Sequence, residues 1–326
     1  ARLQPQKQQH AISTCAPAYS ANRFIRAQLG RYDRRMRIPI RPVRGRWPGW
    51  LESFGPIGRF FRLDPLTVID DSASPEAFRE AMSSIYVGGT IKITGSSRHP
   101  QPDRLLIESV DLKNARIADI GASDGSTSID LVAQLPSFDE YVIADLYLTL
   151  RAVRVGKRVL LFDQDGECVL VGGPRVSAWP SLSKLVAALY QRTIRTGSAS
   201  LGRNEFEEVL LLNPATRQLI ANNQRVTYRT HDVFTVWEGS PPTVIKVANL
   251  LRRLYFEDPD LSRALSAIHA SLAPGGHLMI VDNPRLSDPS PRAGIWRRDQ
   301  HGFTEIARLG EPEIADLVDA FGAPNA

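Results

Sequence analysis

From Ala115 onward, short apolar runs alternate with amphipathic stretches almost to the end of the chain. Apolar residues crowded into four to six positions between turn residues predict strands at Arg116–Ile120, Tyr141–Ala144, Val226–Arg229, Thr243–Ala248 and His277–Val281. Leu261, Ala264, Leu265, Ile268 and Leu272 recur at helical spacing, which predicts a helix over Asp260–Ala273 with one apolar face. Pro274-Gly275-Gly276 supplies its stop signal. Strands alternating with helices in this way form a parallel α/β sheet. Gly294–Arg297 and Phe303–Arg308 predict a closing hairpin, with a helix over Glu311–Ala320 after it.

Two stretches depart from that rhythm. Arg158–Phe162 and Glu167–Val171 flank the turn Asp163-Gln-Asp-Gly166 and predict a β-hairpin, followed by a helix from Ser181 to about Thr193. The acids of that turn lack the spacing of a calcium loop and read as turn chemistry. Upstream, Ser74 and Pro75 form an N-cap and first-turn pair for a helix reaching about Ser84, and a second helix is expected over Asp103–Val110. The expected organisation is a basic arm over 1–65, a helical lead-in or cap over 66–113 and an α/β domain over 114–326, with an insertion at about 151–204.

Charge changes this picture at one end only. The chain carries a net charge of +5, yet eleven arginines between Arg23 and Arg62 face only Asp33 and Glu52. Trp47, Trp50, Phe54, Phe60 and Phe61 lie among them. The plain expectation is a solvated or surface-clinging arm; contact with nucleic acid or an anionic membrane is the alternative, since arginine forks match phosphate and aromatic rings suit an interface. No apolar run is long enough to cross a membrane, and the polar start lacks a secretory h-region. With Cys15 and Cys168 as its two cysteines, the sequence predicts a reduced, cytoplasmic protein without a disulfide framework. The histidines show no metal-ligand spacing, so no metal is expected.

The candidate chemistry sits in Asp119-Ile-Gly121-Ala122-Ser123-Asp124-Gly125. A strand ending in an acid and entering a glycine-bounded turn leaves backbone N–H groups to meet a polar or anionic ligand at a helix N-terminus. Glycine there lets the backbone approach the ligand. Asp145, twenty positions beyond Gly125, ends the next strand, where doubly wound folds place a carboxylate against ribose hydroxyls. His231-Asp232-Val233 closes the strand from Val226, and Asn249 ends the strand after that.

These residues together resemble the class I S-adenosylmethionine-dependent methyltransferases. Asp119–Gly125 looks like their first motif, Asp145 like their ribose acid, His231-Asp232 like their adenine-contacting motif, and Leu272-Ala-Pro-Gly-Gly276 like the turn before their fifth strand. The resemblance covers roughly Ala115 to Ala320 and implies a doubly wound, Rossmann-like methyltransferase sheet with a helical lead-in and an inserted hairpin and helix. It implies S-adenosylmethionine as cofactor and methyl transfer; its motifs do not specify the acceptor, for which a small molecule is the expectation. The catalytic residue is left open, and an oligomer is compatible with the sequence. Two departures stand out. Roughly 50 extra residues follow the second strand, well beyond ordinary loop lengths, so Leu210–Pro214 competes with Asp145 as the strand end. At Asn249 the chain lacks the Asn-Pro-Pro-Tyr type of motif, which disfavours methylation of DNA bases or glutamine amides. The alternatives are a methyltransferase-like binding module without catalysis and a nicotinamide-dependent oxidoreductase, the latter weakened because Gly121–Gly125 lacks G-x-G-x-x-G spacing.

Overall fold

A computed structural model of the chain describes residues 38–88, 90–91, 98–283 and 290–322. Residues 1–37, which hold Cys15 and the arginines from Arg23 to Arg37, lie outside them. The first described elements are β1 (Ile40–Pro42), the one-turn helices α1 (Gly49–Glu52) and α2 (Gly55–Gly58), and α3 (Pro75–Met82). Helix α3 starts as its sequence dictates, with Ser74 Oγ accepting from the Ala77 N–H at 3.2 Å. A two-stranded hairpin of β2 (Tyr86–Val87) and β3 (Thr90–Ile91) leads to α4 (Pro100–Ser109).

Seven strands form the main sheet: β4 (Arg116–Ile120), β5 (Glu140–Asp145), β11 (Val226–Thr230), β12 (Val244–Ala248), β13 (His277–Asp282), β14 (Arg292–Arg298) and β15 (Phe303–Leu309). Their order across the sheet is β11-β5-β4-β12-β13-β14-β15. The first five pair in parallel, and β14 runs antiparallel to both of its neighbours. The chain winds outward from β4 in one direction, then returns to its other side at β12. Helices cover both faces, as this doubly wound α/β architecture requires. One face packs Leu106 of α4, Leu131 of α5 (Ser126–Val132) and Leu219 of α7 (Pro214–Asn222) against Ile117, Tyr141, Ile143 and Met279. The other packs Leu261, Leu265 and Ile268 of α8 (Asp258–Ser271) and Val318 of α9 (Ala315–Asp319) against Ile120, Ile245 and Val247.

The stretch after β5 is larger than the expected hairpin and helix. It supplies β6 (Thr149–Val155), β7 (Arg158–Phe162), β8 (Cys168–Gly172), β9 (Val176–Ala178) and β10 (Glu207–Leu210) to a second, antiparallel sheet ordered β1-β9-β8-β7-β6-β10. Strand β1 of the arm pairs there, Ile40 opposite Ala178, so the described end of the arm is part of this sheet rather than a loose tail. One face of the sheet packs Phe78 and Met82 of α3 and the other packs α6 (Lys184–Gly202). Helix α6 begins later than expected because Pro180–Leu182 form a separate tight turn and Ser183 is the cap. It also runs longer, and Gly197 lets it lie close over Phe162. At the other end of the chain, α9 is shorter than the sequence predicts: the Glu313 N–H is drawn to Asp282 Oδ2 at 2.6 Å instead of opening a helical turn.

The strand register also decides between Asp145 and Leu210–Pro214. Thr230 of β11 lies opposite Asp145 in a parallel ladder, whereas β10 pairs antiparallel with β6 in the other sheet. The second strand therefore ends at Asp145 and the insertion follows it. Asn213 is instead the N-cap of α7, its Oδ1 accepting from the Ala215 N–H. No helix among the described residues is long and apolar enough to cross a membrane.

Candidate functional site

The carboxyl ends of β4, β5, β11 and β12 meet where the winding reverses, between β4 and β12. This is the crevice in which open α/β sheets bind ligands. Into it the chain delivers Gly121–Gly125, Asp145, His231–Asp232 and Asn249.

The turn is more constrained than the sequence suggests. Gly121 and Gly125 have φ of +77° and +76°, and Ser123 between them has φ +58°. The Gly121 and Ala122 N–H groups both donate to the Ala144 carbonyl, at 2.8 and 3.1 Å, and the Ser123 N–H donates to Asp145 Oδ2 at 2.9 Å. Three N–H groups expected to meet a ligand are thus spent in locking the turn to β5. The glycines also answer to the protein itself. A Cβ at Gly121 would come within 2.9 Å of Leu250 Cδ2, and one at Gly125 within 2.5 Å of Thr216 Cγ2. Left-handed backbone plus close packing explains both positions. The side chain of Ser123 differs: its Oγ is buried without a partner among the described residues, an orphan in the wall of the crevice.

Asp145 joins three segments. Its Oδ2 accepts from Ser123, its Oδ1 from the Tyr147 N–H at 2.9 Å, and its backbone carbonyl from the His231 N–H at 3.2 Å.

Two of the expected acids face inward. Asp119 is buried, its Oδ2 accepting from Ser128 Oγ at 2.8 Å and Tyr141 Oη at 2.7 Å. It sits beside Lys246, whose Nζ lies 2.8 Å from Asp103 Oδ1 of α4. Burial alone would lower the Lys246 ammonium, but the Asp119 and Asp103 carboxylates outweigh it and hold its pKa above the ordinary lysine value. Burial, reinforced by Asp119, raises the Tyr141 phenol well above its usual range, so it remains a donor. Asp124 is also buried and lies just ahead of α5, accepting from the Ser126 N–H and hydroxyl. Asp119 and Asp124, both expected at the ligand, are thus buried and hydrogen-bonded to the protein around the turn. Asp232 accepts from the Phe234 N–H at 3.0 Å and shapes the turn after β11, while Val233 packs into the core under α8.

Asn249 leads to residues the sequence did not nominate. It has φ +57°, the left-handed conformation that asparagine adopts more readily than most residues. Its Oδ1 accepts from the Asn283 N–H at 2.7 Å, so its Nδ2 faces His99 Nε2, 3.4 Å away. The Asn283 amide also lies 2.8 Å from that nitrogen. The other end of the Asn283 amide meets the Arg98 guanidinium, which can only donate, so that end is the oxygen and the NH2 faces His99. With amide donors turned toward Nε2, the imidazole proton is placed on Nδ1. His99 is 4% exposed, and Nδ1 has no partner among the described residues. Burial first, then the positive charges of Lys246 and Arg98, lower the imidazole pKa to about 3. The result is a neutral, buried N–H donor at the carboxyl ends of β12 and β13. Lys246, a lone charge inside Val244-Ile-Lys-Val-Ala248, was the one sequence signal pointing here; His99, just ahead of Pro100, carried none.

Among the described residues no group of three His, Cys, Asp or Glu side chains is placed to hold a metal ion. No protein-family model matches the chain, and no curated protein matches it at a significant level. Partial similarity is found to solved structures. Magnesium protoporphyrin IX methyltransferase from Synechocystis PCC 6803 is 12% identical, over 56% of this chain and 53% of that one, at a TM-score of 0.28. The N-methyltransferase NodS from Bradyrhizobium japonicum is 13% identical, over 58% of this chain and 68% of that one, at 0.31. An S-adenosylmethionine-dependent methyltransferase from Mesorhizobium loti is 14% identical, over 58% of this chain and 55% of that one, at 0.30. The chain thus spans about half the length of the first of them. The fold assignment rests on the strand order and takes nothing from likeness at this level.

Proposed function

We propose that this chain binds S-adenosylmethionine at the carboxyl edge of β4, β5, β11 and β12 and transfers its methyl group to a small-molecule acceptor. The observation that carries this reading is the turn Gly121–Gly125 locked onto Asp145 at the point where the winding reverses. The lining suits the cofactor: Asp145 brings a carboxylate to the carboxyl end of β5, and the Ser123 Oγ is buried without a partner among the described residues.

When bound, the cofactor supplies a methyl group that its sulfonium already makes electrophilic, so the protein's task is placement and exclusion of water. Asp145 accepts from the ribose, and the turn before it fixes that carboxylate. Asp232 stands at the end of β11 for the base edge. His99 is held neutral with its proton on Nδ1, so it serves as a hydrogen-bond donor to an oxygen or ring nitrogen of a ligand rather than as a base; Nε2 is already occupied. Asn249 and Asn283 orient that imidazole. Titration calorimetry with S-adenosylmethionine, S-adenosylhomocysteine and NAD tests the reading: saturable binding of the first two and none of NAD is expected. Binding of NAD alone would replace it with the oxidoreductase reading.

A further inference from the structure

The second sheet carries a feature that the methyl-transfer reading does not use. Helices α1 and α2 contain no buried residue, and Trp50, Phe54 and Ile57 are 73%, 55% and 39% exposed. They follow one another at spacings of four and three residues. Exposed apolar side chains grouped within eight positions are unusual on a soluble surface and mark a contact site.

These residues are held out by design of the surrounding bonds. Glu52, the only acid between Ile38 and Arg62, spends its Oε1 on the Gly45 N–H at 2.8 Å and the Trp47 N–H at 3.2 Å, closing the segment into a fixed loop. Trp47 in turn packs edge-on against buried Phe61 and donates its Nε1–H to the Arg175 carbonyl at 2.9 Å. The loop is therefore anchored to β9's approach and to the body of the second sheet, while its apolar tip contributes nothing to the core. Arg46 and Arg59 are exposed on the same segment, and Arg175 lies over Trp47 at 5.6 Å. Exposed apolar side chains on a segment that carries exposed arginines and a single acid form the pattern of an interfacial anchor: rings and aliphatic groups enter the acyl boundary while guanidinium groups meet phosphates.

We propose that the Trp50–Phe54–Ile57 loop docks this protein on an anionic lipid bilayer. Aliphatic Ile57 decides between partners, since an acyl boundary rewards its burial whereas single-stranded nucleic acid rewards stacking planes. The proposal stands independently of the methyl-transfer reading.

Vesicle flotation of the full chain tests it. Wild-type protein is expected to float with phosphatidylcholine vesicles carrying about 30% phosphatidylserine about tenfold more than with phosphatidylcholine alone, and less as salt rises to about 0.5 M. The variant Trp50→Ser/Phe54→Ser/Ile57→Ser and the variant Arg46→Glu/Arg59→Glu should each lose most of that gain with unchanged circular dichroism. A readout without the triple substitution uses bromine-labelled acyl chains, which should quench tryptophan emission in the wild type more than in Trp50→Phe. Equal flotation on both lipids, wild-type flotation by the triple variant, or equal quenching of Trp50→Phe would overturn the proposal. So would tighter binding to an oligothymidylate than to the anionic vesicles.

Discussion

The Ser123 N–H donates to Asp145 Oδ2 at 2.9 Å, so the turn after β4 and the acid ending β5 form one unit. Asp145→Ala leaves the Ser123 and Tyr147 N–H groups without their acceptor and, on the proposed reading, removes one from the ribose. Titration calorimetry should record a loss of S-adenosylhomocysteine affinity of about 1.5–3 kcal/mol, on the scale of hydrogen bonds to a charged group. Unchanged affinity would remove Asp145 from the site.

The packing of Gly125 predicts a double-variant result. Gly125→Ala meets Thr216 Cγ2 at 2.5 Å and also strains a left-handed backbone, so urea unfolding should show a loss of about 1–3 kcal/mol. Combining it with Thr216→Ser removes the methyl group in the way while keeping the hydroxyl that bonds the Asp124 carbonyl. Partial recovery is expected; none would mean that the backbone strain is the whole effect.

His99 predicts a pH dependence of known sign. The unfolded chain takes up the imidazole proton near the ordinary value of 6.5 and the folded chain only near 3. Acidification between those values favours the unfolded state, by about 1.4 kcal/mol per pH unit for this group, and above 6.5 its contribution is fully present. His99→Gln should flatten the stability profile between about pH 6 and 4. Nitrogen NMR of the wild type should show a neutral ring protonated at Nδ1 throughout that window. A ring protonated at Nε2 would reverse the assignment of the Asn283 amide.

The buried pair of Lys246 and Asp103 ties α4 to the sheet. Lys246→Met alone strands a buried carboxylate and should destabilise by about 3–5 kcal/mol, whereas adding Asp103→Leu should recover most of that. Equal losses in the single and double variants would show that burial of Lys246, rather than its pairing, dominates.

Most of the parallel sheet was legible because its strands are buried on both faces and read as continuous apolar runs, as in Tyr141–Ala144 and His277–Val281. The second sheet was half legible. Its β7–β8 hairpin carries a turn signal, but β6 mixes Arg151 and Arg154 into its alternation, and β1 contains Pro42, tolerated there because β1 is an edge strand. Pairing of β1 with β9 joins residues more than a hundred positions apart, which no local periodicity can announce. The site divides the same way. Gly121, Gly125 and Asp145 stand at spacings with a physical meaning, while His99 is brought to Asn249 and Asn283 by three separate elements. The burial of Asp119 and Asp124 was not legible, because sequence does not tell which way a carboxylate turns.

The most direct test of the central claim is calorimetric titration of S-adenosylhomocysteine into the wild type and into Gly121→Val, the latter confirmed as folded. Gly121 is left-handed, and a side chain there meets Leu250 at 2.9 Å or closer, so the variant distorts the turn that holds Asp145. Saturable one-to-one binding to the wild type and its loss in the variant are predicted. Equal affinity in both proteins would contradict the assignment of this turn, and no heat from the wild type would contradict the cofactor itself.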